Sequence, residues 1–135
     1  MTGAPVVEEL SRHECLELLA SVPVGRVGVS IGALPAVLPV NFCLTDDAVI
    51  FRSTVGAKLS AAVAGTVVAF EADHYDESGK TGWSVLVQGR AAEVTDPATL
   101  ARVRELPLES WALNGAADHV IAVELAMISG RRIQR

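Results

Sequence analysis

Apolar and polar positions alternate with a period of two along much of this chain, and three short stretches break into helical spacing. From Gly25 to Ile31, Arg26, Gly28 and Ser30 alternate with Val27, Val29 and Ile31, and Gly32-Ala33 then turns the chain into Leu34, which predicts a hairpin. Its second strand runs through Phe42 and carries Pro35 and Pro39. A proline donates nothing to a ladder, so this strand is expected at an edge or a bulge. Another strand starts at Ala48, after the acidic turn Asp46-Asp47. Thr66 to Ala72 is strongly β-forming, Asp73 through Gly82 reads as a charged loop, and Gly82 to Val94 reads as a long strand in which Gly89 fits a bulge. His119 to Leu125 and Ile128 to Ile133 read as closing strands.

The first helical stretch opens on a capping box, Ser11 with Glu14, before Cys15, Leu16, Leu18 and Leu19, and ends before Pro23. Leu59, Ala62 and Val63 give a second short apolar face, with Gly65 just beyond its end. Asp96-Pro97 supplies the cap and first-turn proline of a third, whose face is Leu100, Val103 and Leu106. Close-spaced strands with short helices between them predict a mainly β chain. The expected architecture is an antiparallel barrel or sandwich with helical insertions, in a single domain spanning residues 1–135.

Composition narrows the chemistry. Half of the 135 residues are hydrophobic, which is ample for a core, and the net charge of −5 gives no global field to hold nucleic acid. Cys15 and Cys43 have no CxxC or Cys/His ligand spacing, and His13, His74 and His119 are scattered, so no metal site is expected. No stretch approaches the roughly 20 apolar residues of a membrane span, and residues 1–10 carry no leader pattern; a cytoplasmic protein is expected. Nor do the serines form a nucleophile elbow. What stands out is a gathering of donors. Arg52, Ser53 and Thr54 arrive at a strand end, and Gly56-Ala57-Lys58 opens a small helix whose free amides and dipole favour an anion such as a phosphate.

The order Pro39-Val-Asn-Phe42, turn, Val49-Ile-Phe-Arg-Ser-Thr54, Gly56-Ala-Lys58, and later Gly82-Trp-Ser-Val-Leu-Val-Gln-Gly-Arg90, resembles the pyridoxamine 5′-phosphate oxidase-like family of flavin-binding split barrels. The resemblance covers nearly the whole chain and is to the short actinobacterial members. It implies a six- to seven-stranded antiparallel split β-barrel with about three short helices, forming a homodimer with FMN at the subunit interface. Arg52, Ser53 and Lys58 would hold the flavin phosphate, and Thr54 would donate to the phosphate or the ribityl chain. Pro39, Val40 and Asn41 would meet the ring edge, although Asn41 equally suits the cap of a bulge. Trp83 and Ser84 would line the site, Phe51 and Leu59 would flank it, and Trp111 would reach across the dimer. The activity implied is hydride transfer at flavin N5 to a small substrate, which needs no side-chain acid or base. Alternatives on the same fold are an F420-dependent reductase and a non-catalytic flavin- or haem-binding protein. The oxidase's longer substrate-binding C-terminal part has no counterpart beyond Arg131, Arg132 and Arg135, which argues against pyridoxamine phosphate as substrate.

Overall fold

The computed structural model describes residues 4, 6–53, 63–78, 80–106 and 119–134. Among the described residues the strands are β1 (Val6–Glu9), β2 (Val24–Ile31), β3 (Leu34–Leu44), β4 (Ala48–Ser53), β5 (Val67–Asp76), β6 (Thr81–Glu93), β7 (His119–Glu124) and β8 (Met127–Gln134), and the helices are α1 (Arg12–Ala20) and α2 (Pro97–Arg104). All the strand pairings are antiparallel, in the order β1-β8-β6-β5-β2-β3-β4-β7, and a further pairing of β6 with β7 closes six strands into a barrel with β8 and β1 continuing outside it. The helix expected near Leu59 lies outside the described residues apart from Val63, which is buried. Gly65 follows it with a φ of 71°, a conformation suited to a residue past a helix end.

The period-two pattern of β2 and β3 becomes the barrel wall. Val27 and Val29 face inward and are buried, while Arg26 and Ser30 face out. Gly32 (φ 55°) and Ala33 (φ 68°) form a two-residue turn of the primed type, whose twist matches that of the strands. In such a hairpin the flanking pair Ile31 and Leu34 exchanges backbone hydrogen bonds, and the bonded pairs then recur every second residue. Pro35 and Pro39 fall on the other class, so their missing N–H groups point away from β2. β4 pairs with β3 only at Phe42–Leu44, and among the described residues no strand lies beyond the half of β3 that carries both prolines. The edge expected from the prolines is there.

Two expectations change. Asp73–Asp76 is strand, paired with Thr81–Ser84, rather than the start of a loop; these residues look polar because they are exposed at the end of a hairpin, and Asp76 caps the turn by accepting from Ser78 N (3.0 Å) and Oγ (2.8 Å). At Gly89 no bulge interrupts the β5–β6 ladder, which runs in one register from Val67 opposite Arg90 to Asp76 opposite Thr81. Gly89 instead marks where the other edge of β6 leaves β8, last paired at Gln88, and takes up β7 from Ala91. The backbone of Glu124 crosses there so closely that a Cβ on Gly89 would lie 1.9 Å from its carbonyl oxygen. β1, unannounced by any pattern, has all four residues exposed.

The barrel interior is filled by Val27, Val49, Phe51, Phe70, Val87 and Ile121, all fully buried, with Phe42 edge-on to Phe70 at 4.7 Å between ring centroids. α1 closes one end through buried Cys15 and Leu19; its capping box is complete, Glu14 N donating to Ser11 Oγ (3.2 Å) and Ser11 N to Glu14 Oε1 (3.0 Å). Donation to the Glu14 carboxyl from the Ser11 backbone N–H, and then from the Ser11 hydroxyl, holds it below its ordinary value. α2 covers the outer side of β4 and β7, Val103 packing with Ala48, Ile50 and Val120.

Two substitutions test this backbone. Ala33→Gly should stabilise the protein by about 0.5–1 kcal/mol by relieving the left-handed alanine, seen as a raised Tm. Gly89→Ala should cost more than about 2 kcal/mol, because backbone and not a yielding side chain occupies the space; a Tm equal to wild type would show that the crossing is looser than described.

Candidate functional site

The sequence-predicted residues fall at two places. One is the end of β4. Alternation sends Phe51 into the core, fully buried, and Arg52 outward beside α2, half-buried. Arg52 lines a cavity of about 540 Å³ with Arg104, His119 and Glu93, walled by the apolar Leu100 and Val103. His119 Nδ1 is hydrogen-bonded to Glu93 Oε1 across the β6–β7 seam, and His119 stands opposite Ser53 in the β4–β7 register. A guanidinium, a second arginine and a histidine–glutamate pair around one partly apolar cavity suit an anionic group on a larger, flat molecule. Thr54, Lys58 and Leu59 follow directly in sequence and lie outside the described residues, as do Trp111 and the side chain of Ser53.

The adjoining stretch of β3 completes this place. Val40 is buried, and its backbone groups belong to the class that bonds β2, as Phe42 N does in donating to Pro23 O at 3.2 Å. The carbonyls of Val37 and Pro39 point to the open edge instead. Asn41 Nδ2 donates to Pro23 O (3.4 Å), which ties the side chain back toward the start of β2. The edge is therefore rich in acceptors beside Pro39.

The second place is the far end of β6. Trp83 pairs with His74 and Arg132, and Ser84 with Asp73 and Arg131. Trp83 is half-buried against the core, and it borders a groove of about 360 Å³ with His74, Tyr75, Ser84 and Arg131. From β4 the short way round the barrel reaches β6 through β7, but only at Ala91–Glu93, at least eight residues along the strand from Trp83 at about 3.3 Å each, so one chain does not bring Arg52 and Trp83 around one small molecule.

Sequence reading missed Glu93, His119 and Arg104. Glu93 and His119 are 26 positions apart and meet only because β6 pairs with β7, so no local motif announces them. Among the described residues no three His, Cys, Asp or Glu side chains gather as a metal site, and no helix is long and apolar enough to cross a membrane.

A family model described as pyridoxamine 5′-phosphate oxidase matches residues 11–132. The chain belongs to this family. An uncharacterised Mycobacterium tuberculosis protein is 48% identical over 136 residues, covering 97% of this chain and 88% of that protein. The solved structure of a Mycobacterium smegmatis FAD-binding protein is 35% identical with a TM-score of 0.79, covering 96% of this chain and 99% of that one. A Corynebacterium glutamicum structure carrying a provisional pyridoxamine 5′-phosphate oxidase name is 31% identical with a TM-score of 0.85, over 96% of this chain and all (100%) of that one. The split-barrel architecture thus recurs in relatives that align nearly end to end.

Neither cysteine is in a disulfide: Cys15 packs from α1 into the main core and Cys43 against the α2 cluster, and burial pushes both thiols above their ordinary value. Mass spectrometry of protein denatured without reductant should find two alkylated thiols. An intrachain disulfide would contradict this placement.

Proposed function

We propose that this protein binds a flavin nucleotide and serves as a cytoplasmic flavin-dependent oxidoreductase acting on a small substrate. The observation that carries the reading is the adjacency of half-buried Arg52 to an acceptor-rich open edge of β3. A flavin has the matching parts: a phosphate at one end and, at the other, a flat ring whose imide N–H needs a carbonyl. The FAD-binding Mycobacterium smegmatis relative supports the same ligand class.

Arg52 holds the phosphate together with Lys58 and the amides at the start of the helix that Lys58 opens, with Ser53 and Thr54 as further donors. Pro39 and Asn41 orient the ring through backbone groups, while buried Val40 and Phe51 keep both strands rigid behind it. The flavin, once bound, supplies hydride exchange at N5, and the protein's part is to fix it and exclude water. FMN and FAD share the ring and the first phosphate, so this assignment serves either; FMN is the minimal ligand that fills it. A homodimer is part of the proposal, because Trp83 and Ser84 reach a ring near Pro39 only from a second copy, as does Trp111 in the resemblance.

Purified protein should show flavin absorbance, and chromatography of the released cofactor should identify FMN or FAD; a Soret band or retention of F420 alone would replace the flavin reading. Lys58→Ala should weaken FMN by one to two orders of magnitude, for a charge-assisted hydrogen bond worth roughly 1.5–3 kcal/mol, and leave riboflavin binding nearly unchanged. Equal losses for both ligands would remove Lys58 from the phosphate.

A further inference from the structure

The cavity at the end of β4 holds more donors than one phosphate uses. In the reading above, the flavin phosphate takes Arg52 together with Lys58 and the amides of the helix that Lys58 opens. A phosphomonoester offers three terminal oxygens on a single phosphorus, and that first set of donors already occupies them. Arg104 of α2 lines the same cavity, and its guanidinium has no hydrogen-bond or ion-pair partner among the described residues. His119 lines it from the start of β7. Glu93 Oε1 engages its Nδ1, which fixes the ring and leaves Nε2 as the polar atom without a partner among the described residues.

Size and lining point the same way. A volume of about 540 Å³ falls within the range of sites for a whole small ligand, roughly 300–1,000 Å³, and exceeds the needs of one ion. Leu100, Val103 and Val120 wall it with aliphatic surface against which a flat base can lie. Ser53 and His119 are Cα partners, so His119 starts one position from Arg52 across a single inter-strand step of about 4.8 Å, and two linked phosphates span both sets of donors.

We infer that this cavity is a second phosphate subsite, held by Arg104 and by His119 as Glu93 orients it, which takes the adenosine phosphate half of a flavin dinucleotide and so makes FAD rather than FMN the preferred cofactor. The inference rests on the flavin reading and goes beyond it by naming the residues that select the dinucleotide. FMN concentrates its charge on one phosphorus, at Arg52 and Lys58. A diphosphate spreads its charge over two, and only the second reaches Arg104 and His119. The Glu93 carboxylate would repel a phosphate, but it faces His119 instead, and a ring held between two anions donates from both nitrogens. Glu93 is thus a positioning residue that acts through His119.

Titrating the full chain, freed of bound flavin, with riboflavin, FMN, FAD and AMP tests this. FAD should bind at least about tenfold more tightly than FMN, the effect of one charge-assisted contact or more. Arg104→Gln and His119→Ala should each bring that ratio toward one with little change for FMN or riboflavin, and His119→Gln, which restores a neutral donor, should recover part of it. Glu93→Ala should behave as His119→Ala does, whereas Glu93→Gln, which still accepts from Nδ1, should keep the ratio. Arg102→Gln, on the same helix but outside this cavity, should bind all four ligands as wild type does. Equal affinity for FMN and FAD, or a preference that survives Arg104→Gln combined with His119→Ala, would overturn the second subsite while leaving the flavin reading intact. AMP bound beside FMN with no preference for FAD would overturn the dinucleotide and make a free nucleotide the occupant. Protein that takes up none of the three flavins would remove both readings.

Discussion

Everything in this fold depends on one strand having three partners. β6 keeps β5 along nearly its whole length, while its other edge belongs first to β8 and then to β7. The exchange takes place where the Glu124 backbone crosses Gly89, at a distance that any side chain would forbid. Without it the sheet stays open and the β4–β7 edge has nothing to close upon. Closure removes edges and encloses the aromatic pair Phe42 and Phe70, and β8, left outside, becomes a platform for α1. A Cβ on Gly130 would meet the Cys15 sulfur at 2.6 Å, so the platform too relies on an absent side chain.

That closure also creates the chemistry at the end of β4. Glu93 and His119 are neighbours only through the β6–β7 seam, and α2 is held over Arg52 because Val103 seats on Ile50 and Val120. An acidic chain thereby presents a locally basic cavity, which is the condition for holding an anion without attracting polyanions in general. The Asp96 cap, its carboxyl held low by hydrogen bonds from the Thr99 hydroxyl and amide, fixes where α2 begins.

Where alternation coincided with burial on one side only, the chain announced its own structure: β2, most of β3 and the strand from Val67 are where the pattern puts them, and β4, buried on both faces from Ala48 to Phe51, showed itself as a short apolar run. Patterning fails where both faces of a strand meet water. β1 buries nothing, and the last residues of β5 are polar for the same reason, so composition mimics a loop. Gly89 was legible as a special position but not as a crossing, because the neighbour that demands it lies 35 residues on, at Glu124. In the site, Arg52 could be found from a local motif. The residues facing it could not, since they are assembled by strand pairing, and the separation of Trp83 from Asn41 is a property of sheet order that one-dimensional spacing cannot carry.

The two prolines of β3 have a consequence for the kind of assembly this molecule can enter. A sheet edge with regularly spaced donors and acceptors is a template on which strands add without limit. Here the open stretch of β3 lacks the donors at Pro35 and Pro39 while keeping its acceptors, and β1, at the end of the sheet order, is four residues long and carries Glu8 and Glu9. Neither edge can be copied by its own kind. Growth by strand addition is disfavoured at both ends, and among the described residues the open stretch of β3 keeps its spare acceptors for a molecule that brings its own donors.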